Sequence, residues 1–349
     1  MPSEIFPWRK YLPGGIHNPL RLALRLLFNP NPAARSAIFM ALSGMLLAPV
    51  DVLLQRVEQR EYARGERPRK PIIIVVGPPR SGTTLVAQYL INALEVAYIN
   101  NLTSLFPRSP VTINRLLGRF VPFREGAYEA FYGRSRRLAG VNDGLYIWDR
   151  WLGSDRRDSP DSLSTGAEQS MRRFFAAFER YSNLPMVTKV NRLNTCANLI
   201  AEVLDNTTFV CLHRNPLYLA QSLYIARQTI SGNMRSAYGV RHENSCPEDP
   251  VEDVCRQVDF HIGQAQRQQE ILGPSKFLVI SYEKFCESPE GLVNLMLSQH
   301  RGLSLRSTAG ALPKSFSVSV QQKVGDHIFE RMRGRLSELC ADRLILRDF

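Results

Sequence analysis

Residues 72–84 read Ile72-Ile73-Ile74-Val75-Val76-Gly77-Pro78-Pro79-Arg80-Ser81-Gly82-Thr83-Thr84, and Leu85 to Leu94 then have the composition of a helix. Five β-branched residues without a polar interruption are what a parallel strand buried on both faces requires. The turn that follows carries Gly77 and Gly82, which let the backbone approach a ligand closely. The start of the helix adds N–H groups with no intrahelical acceptor, so the unit is an anion cradle. Thr83 and Thr84 contribute hydroxyl donors. The spacing is that of G-x-x-x-x-G-K-[ST], except that Thr83 stands in the lysine position and the positive charge has moved back to Arg80.

That displacement has a chemical consequence. A nucleotide triphosphatase sets the loop lysine on its β/γ-phosphates and holds Mg²⁺ with an acid at a strand end. The later strand-like runs, Thr208 to Leu212 and Phe277 to Ile280, lead into His213 and Ser281 instead. Hydroxyls and a guanidinium suit a less charged transferring group, such as a phosphosulfate.

A second constellation follows the Thr208–Leu212 run as His213-Arg214-Asn215-Pro216, with Ser222 further on. Pro216 can occupy the first position of a helix, and Leu217 to Arg227 continues a helical pattern. Arg214 then lies at a strand's C-terminal end and Ser222 about two turns along the next helix. Ligands of doubly wound sheets bind at that edge, so the pair can grip a second phosphate. As an isolated feature it is equally a strand–helix turn with a solvated arginine.

Taken in order, Gly77-Pro78-Pro79-Arg80-Ser81-Gly82-Thr83-Thr84-Leu85, His213-Arg214-Asn215-Pro216 with Ser222, and Tyr282-Glu283-Lys284-Phe285 resemble the sulfotransferases that use 3′-phosphoadenosine 5′-phosphosulfate (PAPS). The resemblance spans about residues 71–330. Arginine in the loop is similar to the carbohydrate and tyrosylprotein branch. What the resemblance implies is a three-layer α/β/α domain, P-loop NTPase-like, with a central parallel sheet led by residues 72–76. It implies that Arg80, Ser81, Gly82, Thr83 and Thr84 hold the 5′-phosphosulfate, and that Arg214 and Ser222 hold the 3′-phosphate. Tyr282 is expected near the adenosine end. Lys189, ending the run Met186-Val187-Thr188-Lys189, is expected at the transferring sulfuryl group, and Ser317 and Lys323 on a late loop that closes over the nucleotide. PAPS would be the cosubstrate, PAP (3′-phosphoadenosine 5′-phosphate) the product, a hydroxyl-bearing sugar, phenol or lipid the acceptor, and no metal is required.

One departure from that family stands out. Where the tyrosylprotein branch carries a catalytic glutamate, ungapped counting reaches Asn100, and an amide cannot be a general base. Candidates for the base are Asp143, in Val141-Asn142-Asp143-Gly144, and Glu125 and Glu129. Asp143 is equally explicable as part of an Asn-Asp-Gly turn. His213 is expected to support the cosubstrate site and His261 to be an ordinary helix histidine. Residues 95–185 carry few strand signals; with Tyr146, Trp148 and Trp151 they are expected to shape the acceptor pocket.

The whole chain has 349 residues with 44 Lys+Arg against 32 Asp+Glu, a net charge of +12. Its 44% hydrophobic content is ordinary for a globular protein and excludes wholesale disorder. Six cysteines without a C-x-x-C pair argue against a zinc site or disulfide framework, and fit a reducing, cytoplasmic setting. No nucleic-acid motif claims the excess charge.

Residues 1–70 are set apart from the catalytic segment, 71–349. They hold 11 Lys/Arg and 5 acids, half the net charge, around an uncharged run from Ser36 to Val50. That run is shorter than the roughly 20 residues a spanning helix needs. Leu20 to Leu27 places Arg21 and Arg25 on one helical face among leucines. The expectation is a helical extension that either packs on the domain or meets a membrane surface peripherally through residues 20–54. Two other readings of the whole chain remain at this stage: a P-loop kinase using ATP, and a non-catalytic membrane- or polyanion-binding protein.

Overall fold

The structure, a computed structural model of the chain, describes residues 23, 24, 26–28, 32–65, 67–121, 128, 130, 131, 133–240, 242 and 245–340. In chain order its strands are β1 (Ile72–Val76), β2 (Ala97–Tyr98), β3 (Ala130–Phe131), β4 (Arg134–Ser135), β5 (Met186–Lys189), β6 (Thr207–His213) and β7 (Phe277–Ser281). Its α-helices are α1 (Pro32–Tyr62), α2 (Thr83–Ala93), α3 (Asn101–Leu105), α4 (Pro110–Leu117), α5 (Leu145–Leu152), α6 (Thr165–Ser182), α7 (Ala197–Val203), α8 (Pro216–Ala226), α9 (Pro250–Leu272), α10 (Tyr282–Glu287), α11 (Pro289–Gln299) and α12 (Asp326–Leu339).

Five strands make one parallel sheet in the order β2-β5-β1-β6-β7, and β3 with β4 form a separate antiparallel hairpin. The chain leaves β1 for one side of the sheet and later returns to pair β6 on the other. The loops after β1 and β6 therefore open side by side at the C-terminal edge, the position where such sheets bind ligands. Register sharpens this: Val75 is opposite both Lys189 and Val210, so Lys189 ends its strand beside the turn that follows β1.

The all-apolar β1 is explained by its two neighbours. Ile72, Ile74 and Val76 face a layer built on α5, α6 and α7, while Ile73 and Val75 face α2 and α11. The three-layer α/β/α architecture is thus present. Two details differ from the sequence reading. A two-residue strand, β2, borders the sheet inside the segment read as poor in strands. Trp148 and Trp151 belong to the core, packed edge-on at 5.1 Å and against Phe174 and Phe175, because α5 turns its apolar face to the sheet.

Helix α1 docks by polar contacts. Buried Asp51 accepts from Arg108 N at 3.1 Å and from Ser109 Oγ at 2.6 Å. Glu58 accepts from Val111 N at 3.1 Å and from Thr112 N at 2.7 Å, capping free N–H groups in the first turn of α4. Glu61 pairs with Arg115 at 2.9 Å and bonds Tyr181. Alongside and ahead of these anchors, Met40, Leu47 and Leu54 pack on the cluster of Leu102, Leu105, Phe106 and Ile113.

Candidate active site

The turn after β1 is held by its own backbone. Ser81 is buried, and both its N–H, at 3.2 Å, and its hydroxyl, at 2.8 Å, go to the Pro78 carbonyl. The serine assigned from sequence to the phosphosulfate therefore shapes the loop. Arg80 sits at φ 76° and Gly82 at φ 102°. A non-glycine residue in the left-handed region costs on the order of 1–3 kcal/mol and persists where the surroundings impose it. Gly82 caps α2 without a side-chain bond, leaving the first-turn N–H groups to whatever lies in front of them. Thr83 is buried and donates to Asn191 Oδ1 at 2.9 Å, while Thr84 remains partly exposed. Asn191 was not singled out from the sequence; its only local signal was its nearness to Lys189.

The loop meets the segment after β6 directly. Arg80 Nε donates to Ser222 Oγ at 3.2 Å. Arg214 Nη1 donates to the Arg80 carbonyl at 2.9 Å, and its Nη2 to the Ser319 carbonyl at 3.0 Å. The Arg214 guanidinium lies over the Tyr282 ring at 5.1 Å, and a Cβ on Gly82 would overlap that same ring. Tyr282 is therefore wedged between the two motifs. Its neighbour Glu283 accepts from Asn215 N at 2.9 Å and holds the turn into α8, whose N-terminus Asn215 caps through Leu217 N at 3.0 Å. The weak sequence pair Tyr282-Glu283 is explained by these two contacts.

Burial pulls the Arg214 guanidinium below its ordinary value, and Arg80 acts in the same direction while Tyr282 and Glu283 oppose it. Arg214 Nε is buried with no acceptor. Two adjacent guanidiniums, an orphaned donor and an open helix start fit a ligand with two anionic groups.

Residues 313–325 form a strap with no helix or strand of its own. It is tied down by Gln221, whose Nε2 donates to the Gln321 carbonyl at 2.9 Å and whose Oε1 accepts from Lys323 N at 2.6 Å. Ser317 and the Lys323 side chain lie exposed on this strap. The strap reaches Arg214 through the Ser319 carbonyl, a backbone group that no sequence motif can signal.

On the other side of the loop Lys189, 1% exposed, is ion-paired with Asp143. A Cβ on Gly133, at the tip of the β3–β4 hairpin, would lie 3.5 Å from Lys189 Nζ and 3.8 Å from Thr84 Oγ1. The hairpin, tied to α2 by Gln88 Nε2 donating to Ser135 Oγ at 3.0 Å, thus covers the ammonium and the loop hydroxyl together. Asp143 also belongs to the Asn-Asp-Gly turn: Asn142 Oδ1 accepts from Gly144 N at 2.9 Å. Asn100 caps α3 in a reciprocal box with Thr103. Glu125 and Glu129 lie outside the described residues.

Behind the hairpin is a cavity of about 270 Å³, bordered by Tyr98, Phe120, Val121, Arg136, Leu138 and Val141. It is walled in part by the segment expected to shape the acceptor pocket, though not by the tryptophans. His213 is shielded, and burial lowers its pKa. His261, fully buried on α9, contacts Asn194 and lies with the core histidines rather than at the loop.

A parallel sheet whose first turn leads into an open helix start and is joined by two arginines to the turn after β6 has the architecture of a P-loop-like α/β fold. Residues 71–304 match the sulfotransferase family model, and the chain belongs to that family. Among solved structures it is similar to sulfotransferase STF1 from Mycobacterium tuberculosis, at 13% identity over 95% of this chain and 92% of that one, with a TM-score of 0.53. It is also similar to sulfotransferase STF9 from Mycobacterium avium, at 15% identity over 97% and 84% of the two chains, with a TM-score of 0.49. At 13% identity the likeness to the Mycobacterium tuberculosis protein is one of fold. No curated protein matches the sequence.

Proposed function

We propose that this sulfotransferase takes its sulfuryl group from PAPS and transfers it to an acceptor hydroxyl by in-line displacement. The observation that supports the reading is the Arg80–Ser222 bond, which joins the turn after β1 to the helix after β6, as one site for a nucleotide with phosphate-type groups at both ends would require. Arg80, Gly82, Thr83 and Thr84 would hold the 5′-phosphosulfate through the helix start, and Arg214 with Ser222 the 3′-phosphate.

In the transfer, the acceptor oxygen forms a bond to sulfur as the bond from sulfur to the bridging oxygen breaks, releasing PAP. Lys189, held by Asp143 and adjoining Thr84, supplies positive charge where the sulfuryl group passes. Asp143, 20% exposed and paired with Lys189, is the candidate base among the described residues and would take the acceptor's proton. Ser317 and Lys323, exposed on the strap whose Ser319 carbonyl bonds Arg214, would border the nucleotide.

Thermal-shift titration tests the donor. Micromolar PAP should stabilise the protein, and radiolabelled PAPS with host extracts should yield a labelled product. Stabilisation by Mg·ATP with no response to PAP would replace this reading with that of a kinase.

A further inference from the structure

Helix α1 has two faces of opposite character. Its inward face carries Met40, Leu47, Asp51, Leu54, Glu58 and Glu61, all in contact with the domain. Its outward face carries Phe39, Leu42, Leu46, Val50 and Leu53, which recur at helical spacing and are 67%, 56%, 80%, 44% and 71% exposed. Leu24, Leu27 and Phe28, just before the helix, are exposed as well. Isolated exposed leucines are unremarkable, but a continuous stripe on one helix is a contact surface.

The charges of the helix are sorted in the same way. Its three carboxylates, Asp51, Glu58 and Glu61, are buried against the domain, so the exposed charged residues of α1 are Arg35, Arg56 and Arg60. An apolar stripe bracketed by cations alone complements an anionic lipid surface. Residues Ala34–Tyr62 are long and apolar enough to cross a membrane, but the inward face is bonded to residues 108–115 from Asp51 to Glu61, which favours an in-plane arrangement over a spanning one. The uncharged run from Ser36 to Val50 would also cover only about 22 Å.

We infer that α1 is an in-plane membrane-surface element, docking the enzyme on an anionic bilayer through Phe39, Leu42, Leu46, Val50 and Leu53 with Arg35, Arg56 and Arg60 at the headgroups. Docking there has a consequence for the acceptor side. Val121, which borders the cavity behind the hairpin, packs on the same cluster of Leu102, Leu105, Phe106 and Ile113 as Met40, Leu47 and Leu54 of α1, so one small core lies between the cavity and the docked helix. The docking stands independently of the PAPS reading, because it is measured without donor or acceptor.

The test is flotation of the full chain with vesicles of phosphatidylcholine alone and of phosphatidylcholine mixed with phosphatidylglycerol. The chain should float with the anionic vesicles and be released by high salt. Phe39→Ser/Leu46→Ser should weaken binding roughly tenfold or more, and Arg35→Gln/Arg56→Gln/Arg60→Gln should remove the preference for anionic lipid while leaving residual binding. Unchanged melting temperatures will show that both variants are folded. Equal flotation of the stripe variant and the unmodified chain, or no flotation at all, would overturn the proposal. So would a stable dimer, seen by sedimentation in the absence of vesicles, that the stripe variant splits, since that would make the face a contact between two copies of this chain.

Discussion

Lys189 at the end of β5 is ion-paired with Asp143 in the turn before α5, and only 1% of the lysine side chain reaches solvent while the aspartate keeps 20%. Removing one partner of a buried pair strands the other charge, at a cost of about 3–5 kcal/mol. The asymmetry in exposure sets the order of effects. Asp143→Asn leaves the ammonium buried and unpaired and should destabilise more than Lys189→Met, which leaves a partly solvated carboxylate. The double variant should recover part of the loss in urea unfolding, while sulfuryl transfer stays abolished in all three. Equal destabilisation by the two single variants would show that the pair is not buried as described.

Arg80 reaches forward to Ser222 and is fixed from behind by Arg214, so its truncation should act on the reaction rather than on folding. Arg80→Ala should lower kcat/KM by about a hundredfold or more, in the range found when one preorganised donor to a developing charge is removed. Ser222→Ala removes one hydrogen bond and should raise the KM for PAPS about five- to tenfold with little change in kcat. Steady-state kinetics with PAPS as the varied substrate checks both.

Gly82 faces two obstacles to substitution: its φ of 102° and the Tyr282 ring, which occupies the space a methyl group would need. Gly82→Ala should destabilise by about 1–3 kcal/mol and weaken PAP binding. Adding Tyr282→Ala should restore only the share due to the clash, because the backbone strain remains. A double-mutant cycle read by chemical denaturation separates the two.

Burial, with His242 acting in the same direction, lowers the His261 pKa from 6.5 to about 3. The unfolded chain takes up this proton as pH falls below about 6.5, while the folded chain does so only near 3. The associated stability is therefore fully present above pH 6.5 and declines below it, by up to about 1.4 kcal/mol per pH unit. His213 and His300, both half-buried, are lowered too and add with the same sign. Melting temperature should fall steadily from pH 7 to 5, and His261→Gln should flatten that slope whatever it does to stability at pH 7.

Glu58 accepts from Val111 N, from both Thr112 N and its hydroxyl, and from the Tyr62 hydroxyl. Glu58→Gln withdraws the charge from the α4 helix start and leaves a donor facing donors, which should cost about 1–3 kcal/mol. Limited proteolysis in residues 63–71 should then be faster than in the unmodified chain.

The parts of the site legible in the sequence are those in which a few consecutive residues define both structure and chemistry. Strand, loop and helix from Ile72 to Ala93 follow from β-branched burial, two glycines and a helical run, and the Pro216 helix start follows from a fixed φ. Hydrogen-bond geometry within a turn is local, so spacing alone placed Arg80 and Arg214 at one edge of one sheet. The tryptophans of α5 were misplaced, because aromatic composition does not say which way a helix faces. Tertiary structure alone decided the partners: Asp143 against Lys189, Asn191 against Thr83, the Ser319 carbonyl against Arg214, and three carboxylates of α1 turned inward so that only arginines flank its apolar stripe. Each joins segments distant in the chain, and their register depends on how β5, β1 and β6 align and how helices pack across them, energies summed over many side chains that no short stretch of sequence contains.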